Sequence, residues 1–484
     1  LSAVVSAAAL FLMFKVFVWQ TSIAAVGCWS LVQGLFLFSR IADVGVGSNF
    51  TRLVALNSKA HLPIDVRHTV LAGLLLSTVP VICIGAVIVV PIYDYIAAKS
   101  AASLSSADAS RLVISAFFFA ALNSSSTICL SILEGMGKIA HRNILSIVSN
   151  LSGLLCAYPL VRSFGVAGIG YTSVVQGAML LFLSLYAVRA DSRPIPENEP
   201  LSFRGVIRTI WTDNFRMSAI GLLRLSFEPT SKLILSQVSV LETVAFFELA
   251  LRITTQIRIT YQAAIAPLLS FGSRAKSAPL TSDVFMAFAA ANRTTSTISL
   301  AASAVQLAFA PLLSLAAFGD IQQDFICYFE VLVVANCLNS FGIVGYYFQL
   351  SGGHLSGLVA VHALMAMINL IGGVCLADFL GATGVILAYG LAFSVGGIVC
   401  AVMFYRALGL SETLKINRTS IFALVQCALA GLFASSAFGL MSMGAHVFIG
   451  GSVVISFLTV SLFVFVFWQE ILVRIWASSR QRLR

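Results

Sequence analysis

Apolar stretches of membrane-spanning length recur along the chain, each closed by a short polar or glycine-bearing turn. They are centred near residues 10, 35, 80, 122, 151, 178, 224, 257, 305, 337, 364, 393, 432 and 457. A helix rising 1.5 Å per residue needs about 20 residues to cross the hydrocarbon core, and these stretches supply them. The pattern predicts an all-α polytopic membrane protein of about 14 transmembrane helices. Leu1 to Val18 has the apolarity of a signal peptide, but it lacks a basic leader and Lys15 interrupts it, so it is expected to be the first span. The chain does not open on Met, and a short leader ahead of Leu1 is expected. The largest polar interruption, residues 189–212, contains Arg193-Pro-Ile-Pro-Glu-Asn-Glu-Pro200 and reads as a linker. It separates residues 1–188, spans one to six, from residues 213–408, spans seven to twelve. Residues 409–484 carry spans thirteen and fourteen, expected to be peripheral to the other twelve, and a basic cytoplasmic tail.

Composition supports a membrane protein and orients it. Of 484 residues, 59% are hydrophobic and 10% charged, with a mean hydropathy of +0.97. With the N-terminus inside, 19 of the 29 Lys and Arg residues fall in internal segments and three, Lys99, Arg111 and Arg162, fall outside. That asymmetry predicts cytoplasmic N- and C-termini. Basic internal loops facing an anionic leaflet also account for most of the +10 net charge without nucleic acid. The nine cysteines form no CxxC pair and the six histidines no ligand-like spacing, so no metal site is expected. External loops are short; the longest, Tyr93 to Ser110, is Ala/Ser-rich and is expected to be irregular.

The halves carry a faint repeat at an offset of 216 residues. Gly165-Val-Ala-Gly168 matches Gly381-Ala-Thr-Gly384, and Gly137-Lys138 matches Gly353-His354. A six-span unit crosses the membrane an even number of times, so its duplicate keeps the same orientation. Two lobes related by an axis along the membrane normal, with a pathway between them, are therefore expected.

One span is unlike a lipid-facing helix. Between Asp213 and Ser236 stand Arg216, Arg224, Glu228 and Lys232, with Pro229 among them. At 100° per residue the four charges share an arc of about 160°, which gives the helix one wet side. Arg224, Glu228 and Lys232 are spaced for internal pairing, as are Glu248 and Arg252 in span eight. Lys15 and Arg258 bring the deep cations to six against two acids. Each such charge costs roughly 3 kcal/mol at bilayer depth if it faces lipid, so a hydrated, anion-seeking cavity is expected. Arginine grips phosphate oxygens in a bidentate fork and lysine acts as a point charge. The candidate substrate-binding set is Lys15, Arg216, Arg224, Lys232, Arg252 and Arg258. Glu228 and Glu248 read either as pairing acids or as H+ or Na+ coupling groups, and Pro229 as a place for the helix to bend. Arg216 fits a snorkelling side chain at the inner interface as well as a rung of a cation ladder.

Short motifs carry a family resemblance. Arg40-Ile-Ala-Asp43-Val-Gly45-Val-Gly47 with Thr51-Arg52 resembles the end of the second helix in Wzx-type polysaccharide flippases. Glu134-Gly-Met-Gly137-Lys138 with Arg142-Asn143, the Gly165 turn, and Glu248-Leu-Ala-Leu-Arg252 are similar to that family too. Its superfamily also holds MATE drug exporters and the lipid II flippase. The resemblance implies two six-helix lobes in a V-shaped, alternating-access carrier in a bacterial inner membrane. Its substrate would be an undecaprenyl-diphosphate-linked oligosaccharide for surface polysaccharide such as O-antigen or exopolysaccharide, moved to the periplasmic leaflet. Partners would be that lipid-linked glycan, membrane lipid and polysaccharide-assembly proteins. Asp43 fits a gate or coupling residue, or a partner for Arg40.

Other functions remain as alternatives: a lipid II flippase, a MATE-type drug or cation exporter, or a membrane enzyme such as a polysaccharide polymerase. An exporter of cations favours acids over bases in its cavity, the reverse of this chain. An enzyme needs a carboxylate pair or a large external loop; Asp320 and Asp324 are the nearest approach and read as solvated loop acids. No cofactor is expected, and the driving force is open between an H+ gradient, a Na+ gradient and the membrane potential.

Overall fold

The structure, a computed structural model, describes residues 2–43, 66–190, 215–265, 282–352 and 355–407, with positions 47, 50, 51 and 54. Helices occupy each of the first twelve expected centres. They are α1 (Ser2–Gln20), α2 (Ile23–Phe36, continued by a tighter turn at Leu37–Asp43), and α3 (Val66–Gly73), which passes through a π-turn at Leu74–Thr78 into α4 (Val79–Ser100). Then follow α5 (Ser106–Gly135), α6 (Ile139–Phe164), α7 (Ala167–Ala190), α8 (Phe215–Val238), α9 (Leu241–Ile265), α10 (Ser282–Phe318), α11 (Gln323–Ser340) and α12 (Ile343–Gly352). Last, α13 (Leu355–Met367) runs through a π-turn at Ile368–Gly372 into α14 (Gly373–Ala407). No strand occurs among the described residues. The expected linker from residue 191 to 212 and the centres near 432 and 457 lie outside them.

Seven helical stretches among the described residues are long and apolar enough to cross a bilayer, and α11 with Ile343–Leu350, bent by 45°, makes an eighth. The chain is thus an all-α, multi-pass membrane protein. Tyr93–Ser110 departs from the expected irregular loop: α4 runs to Ser100 and α5 starts at Ser106. The local cause is a cap, since Ser105 Oγ accepts from the Asp108 backbone N–H at 3.1 Å, and the Ala-rich flanks favour helix.

Two compact units result, Leu1–Gln256 with Gly353–Ala392, and Ile257–Gly352 with Phe393 onward. In the first, α5, α6 and α7 pack as neighbours, α1 lies on α6, and α8 lies against α2 and α13. Its interior is partly polar. The π-turn after α3 presents Ser77 and Thr78 to Ser124 and Ser125 of α5, with hydroxyl oxygens 2.6 and 3.0 Å apart. Such pairs give hydroxyls in an apolar interior a polar partner on the neighbouring helix. In the second unit α10 packs on α11 and α12, and Phe288, Phe348 and Phe404 interlock edge to face. There a Cβ on Gly342 would lie 2.2 Å from the Gly397 carbonyl oxygen, so the two backbones touch.

The repeat expected from the sequence recurs in backbone angles. Gly165 has φ 58° and ψ −134°; Gly381 has φ 57° and ψ −137°. Both lie in the region that a Cβ forbids. Three residues on, a Cβ at Gly168 would sit 2.4 Å from the Leu160 carbonyl oxygen, and one at Gly384 would sit 2.1 Å from that of Leu376. Leu160 and Leu376 are themselves 216 positions apart. The first glycine allows the reversal and the second lets the next helix start against the last.

The other motif residues also build turns. Gly137 has φ 79°, and Glu134 holds Arg142 across it at 3.0 Å. Thr51 Oγ1 donates within reach of the Gly47 and Ser131 carbonyls, which ties the chain after α2 to α5.

Candidate functional site: a polar cavity and an internal ion network

A cavity of about 310 Å³ opens within the first unit. Its wall is built from helical stripes: positions 26, 29, 30, 33, 36, 37 and 40 on α2 and its extension, and 248, 251, 252, 255 and 256 on α9. Leu10, Met13, Phe14 and Phe17 of α1, Asn123 of α5, and Ser173 and Gln176 of α7 complete it, with Glu228 from α8. Intervals of three and four residues are those of a single helix face. Polar and apolar positions are interspersed along the stripes. Val26 and Trp29 stand at the start of α2, while Gln33 and Arg40 stand further along; on α9, Glu248 and Arg252 precede Thr255 and Gln256.

At the back of this cavity lies a chain of ions. Lys232 Nζ is 2.5 Å from Glu228 Oε1 and 2.5 Å from Glu248 Oε2, and it donates to the Ser30 carbonyl at 3.3 Å. Glu248 also pairs with Arg252 one turn along α9, and Arg252 Nη2 donates to Gln33 Oε1 at 3.2 Å. Lys232 is 1% exposed and Glu248 4%. The lysine stem crosses α2 at Gly34, where a Cβ would sit 2.8 Å from Lys232 Cδ. Two acids and two bases therefore bind α2, α8 and α9 into a formally neutral knot. Charges this deep persist when each is met by an opposite charge and further hydrogen bonds.

Lys232 and Arg252, both in the candidate substrate-binding set, are the two bases that the structure pairs with the two acids. The i, i+4 spacings do pair Glu228 with Lys232 and Glu248 with Arg252, but Glu248 also reaches across helices to Lys232. Helical spacing within one element cannot show that link. Lys15 is exposed on α1, on a different face from the cavity-lining Met13, Phe14 and Phe17, and Arg224 is exposed on α8. Arg258 belongs to the second unit, where its guanidinium lies 4.8 Å above the Phe393 ring. The side chains of Arg216 and Asp43 lie outside the described residues. Of the candidate set, the structure brings together Glu228, Lys232, Glu248 and Arg252.

Pro229 is buried within a continuous α8, and a feature that the sequence does not announce holds the helix beside it. Asn369, exposed by 2% and set on the π-turn after α13, donates from Nδ2 to the Phe227 carbonyl at 3.1 Å. Its Oδ1 accepts from Ser231 Oγ at 2.9 Å. The π-turn is what aims Asn369 at α8. At the other end of α8, Ser236 and Gln237 meet Tyr95 of α4, and a Cβ on Gly27 would come within 1.8 Å of the Leu241 carbonyl oxygen. These contacts join spans three and two to spans seven and eight at the ends expected to face outward.

The amides Gln33, Asn123, Gln176 and Gln256 are further site residues that a count of formal charge misses. Their signal is a polar position at helical intervals on otherwise apolar spans, Ser30, Gln33 and Arg40 on α2 above all.

This architecture has counterparts among solved structures. A multidrug resistance MATE family transporter of the MOP superfamily, in an inward-facing conformation, matches with a TM-score of 0.69 at 16% identity, over 84% of this chain and 98% of its own. The lipid II flippase MurJ, in an inward closed conformation, matches with a TM-score of 0.63 at 10% identity, over 96% of this chain and 97% of its own. A point mutant of the Vibrio cholerae MATE transporter VcmN matches at 0.53 and 14% identity, over 86% of this chain and all of that one. No family model and no curated protein matches the sequence. At these identities the likeness establishes the fold alone, the one shared by these MATE transporters and the MurJ flippase.

Proposed function

We propose that this protein is a flippase that carries a polyprenyl-diphosphate-linked oligosaccharide from the inner to the outer leaflet of a bacterial cytoplasmic membrane by alternating access. The observation that carries this reading is the wall of the cavity. Its two acids are both held by buried or half-buried cations, and its remaining polar groups are amides, hydroxyls and arginines. A carrier for cationic drugs needs a carboxylate to offer, and here Glu228 and Glu248 are already spent on Lys232 and Arg252. A headgroup rich in hydrogen-bonding groups suits such a wall better, with its charged phosphates outside the cavity. The polyprenyl tail is too apolar to leave the bilayer, so it trails through a gap while the headgroup passes inside.

In this scheme the termini are cytoplasmic and residues 1–188 and 213–408 act as the two moving lobes. Arg224 is the exposed cation that receives the diphosphate. Bending near Pro229 changes access, because proline removes a backbone donor and crowds the preceding turn. The contacts of Tyr95 and Gly27 with α8 and α9 keep the outer end shut until the headgroup arrives.

A second reading, transport of lipid II, is favoured by coverage. The MurJ structure accounts for 96% of this chain, against 84% for the MATE transporter. One experiment separates the two. In cells depleted of the protein, the lipid-linked sugar trapped in the membrane is identified by mass spectrometry. Accumulation of a polyprenyl-diphosphate oligosaccharide other than lipid II supports the first reading, lipid II itself supports the second, and no trapped lipid overturns both.

A further inference from the structure

Resting on the reading of a lipid-linked glycan carrier, we propose that the cavity of the first unit is a sugar-recognition subsite: it reads the hydroxyl and amide groups of the glycan, while the diphosphate is held elsewhere. An anion trap needs cations with unspent charge facing the space. Lys232 is hidden behind the wall between two carboxylates, and Arg252 is committed to Glu248 and Gln33. Glu228 and Glu248 line the cavity already neutralised by these bases, so the network offers an entering anion no net positive charge. A sugar needs none.

The amides around the space are also oriented by their partners. Gln33 spends its carbonyl oxygen on Arg252, which leaves its NH2 group to donate. Gln176 spends an N–H on Asn150 Oδ1 at 2.7 Å, which leaves its carbonyl oxygen to accept. Donors and acceptors held apart on α2 and α7, with Asn123 of α5 between the same walls, match the alternating donor and acceptor character of ring hydroxyls and N-acetyl groups. At about 310 Å³ the cavity is at the small end of ligand sites, so it holds the first sugars of the headgroup and not a long chain. Arg40 lies seven residues beyond Gln33 on the same stripe, about 10 Å along the axis. It is the last lining residue on that stripe.

The test compares two probes on the purified full chain: undecaprenyl diphosphate, and undecaprenyl diphosphate carrying one N-acetylhexosamine. Wild type is expected to bind the sugar-bearing lipid about tenfold tighter, as a site with oriented amides rejects a ligand that leaves them unpaired. Asn123→Leu and Gln33→Met are each expected to shrink that preference to about twofold, with the loss falling on the sugar-bearing lipid. Retained binding of the bare lipid shows that the variants are folded. Equal affinity of wild type for both probes overturns the subsite and leaves the carrier reading standing. Equal losses of both probes in the variants, at an unchanged melting temperature, also overturn it. If wild type binds neither lipid, the carrier reading fails and the subsite fails with it.

Discussion

The hydroxyl oxygens of Tyr95 and Ser236 lie 2.6 Å apart, and Gln237 Nε2 donates to the same phenolic oxygen at 2.7 Å. Tyr95 is near the end of the third span and Ser236 near the end of the seventh, 141 residues away in sequence. A carrier that alternates access must separate these ends once per cycle. With Tyr95 and Gln237 replaced by cysteine in a cysteine-depleted background, a short bifunctional thiol reagent should stop transport, and a reducible version should release it on reduction. Undiminished transport by the bridged protein would mean that the ends never part.

Lys232 holds three helices together through Glu228, Glu248 and the Ser30 carbonyl. Lys232→Met leaves two carboxylates near one another with one cation fewer, and breaking a buried pair in this way costs about 3–5 kcal/mol. The melting temperature of the detergent-solubilised variant should fall, and Glu228→Gln added to it should recover part of the loss. A neutral Lys232→Met variant would show that the knot contributes little to the fold.

Asn369 satisfies the Phe227 carbonyl and the Ser231 hydroxyl two residues either side of Pro229. Asn369→Leu removes both bonds in a buried place, a loss of about 1–3 kcal/mol. Transport should change more than substrate binding, because the contact braces the part of α8 expected to bend. Equal loss of binding and transport would give Asn369 a role in the substrate site instead.

The positions of the first twelve spans were legible because membrane helices announce themselves by length and apolarity. The Gly165 and Gly381 turns were legible because only glycine tolerates their backbone angles, so the repeat survived in residue identity. The ion network was half legible: Glu228 with Lys232 and Glu248 with Arg252 follow from helical spacing, whereas Glu248 to Lys232 depends on how α8 and α9 pack. Counting charge by depth gives the excess of bases but not which bases the acids take. Tyr95 and Asn369 gave no local signal, since one is an ordinary interfacial aromatic and the other is aimed by a π-turn. The amides of the cavity escape a reading that follows formal charge, although a membrane interior makes uncharged polar groups nearly as informative.

Arg224 is exposed on α8 and lies outside the neutral knot, and in the proposed scheme it receives the diphosphate. Arg224→Ala should abolish export at normal abundance in the membrane, and Arg224→Lys should keep part of it, since the charge survives and the bidentate fork does not. Full export by Arg224→Ala would assign the diphosphate to other residues.

The central claim is that the chain moves a lipid-linked glycan across a bilayer. Purified protein is reconstituted into vesicles carrying undecaprenyl-diphosphate-linked N-acetylhexosamine on the inner leaflet, and a membrane-impermeant sugar-modifying enzyme is added outside. The account predicts that the glycan becomes accessible many times faster than in protein-free vesicles, and that bridging residues 95 and 237 removes the acceleration. Accessibility at the protein-free rate would contradict it.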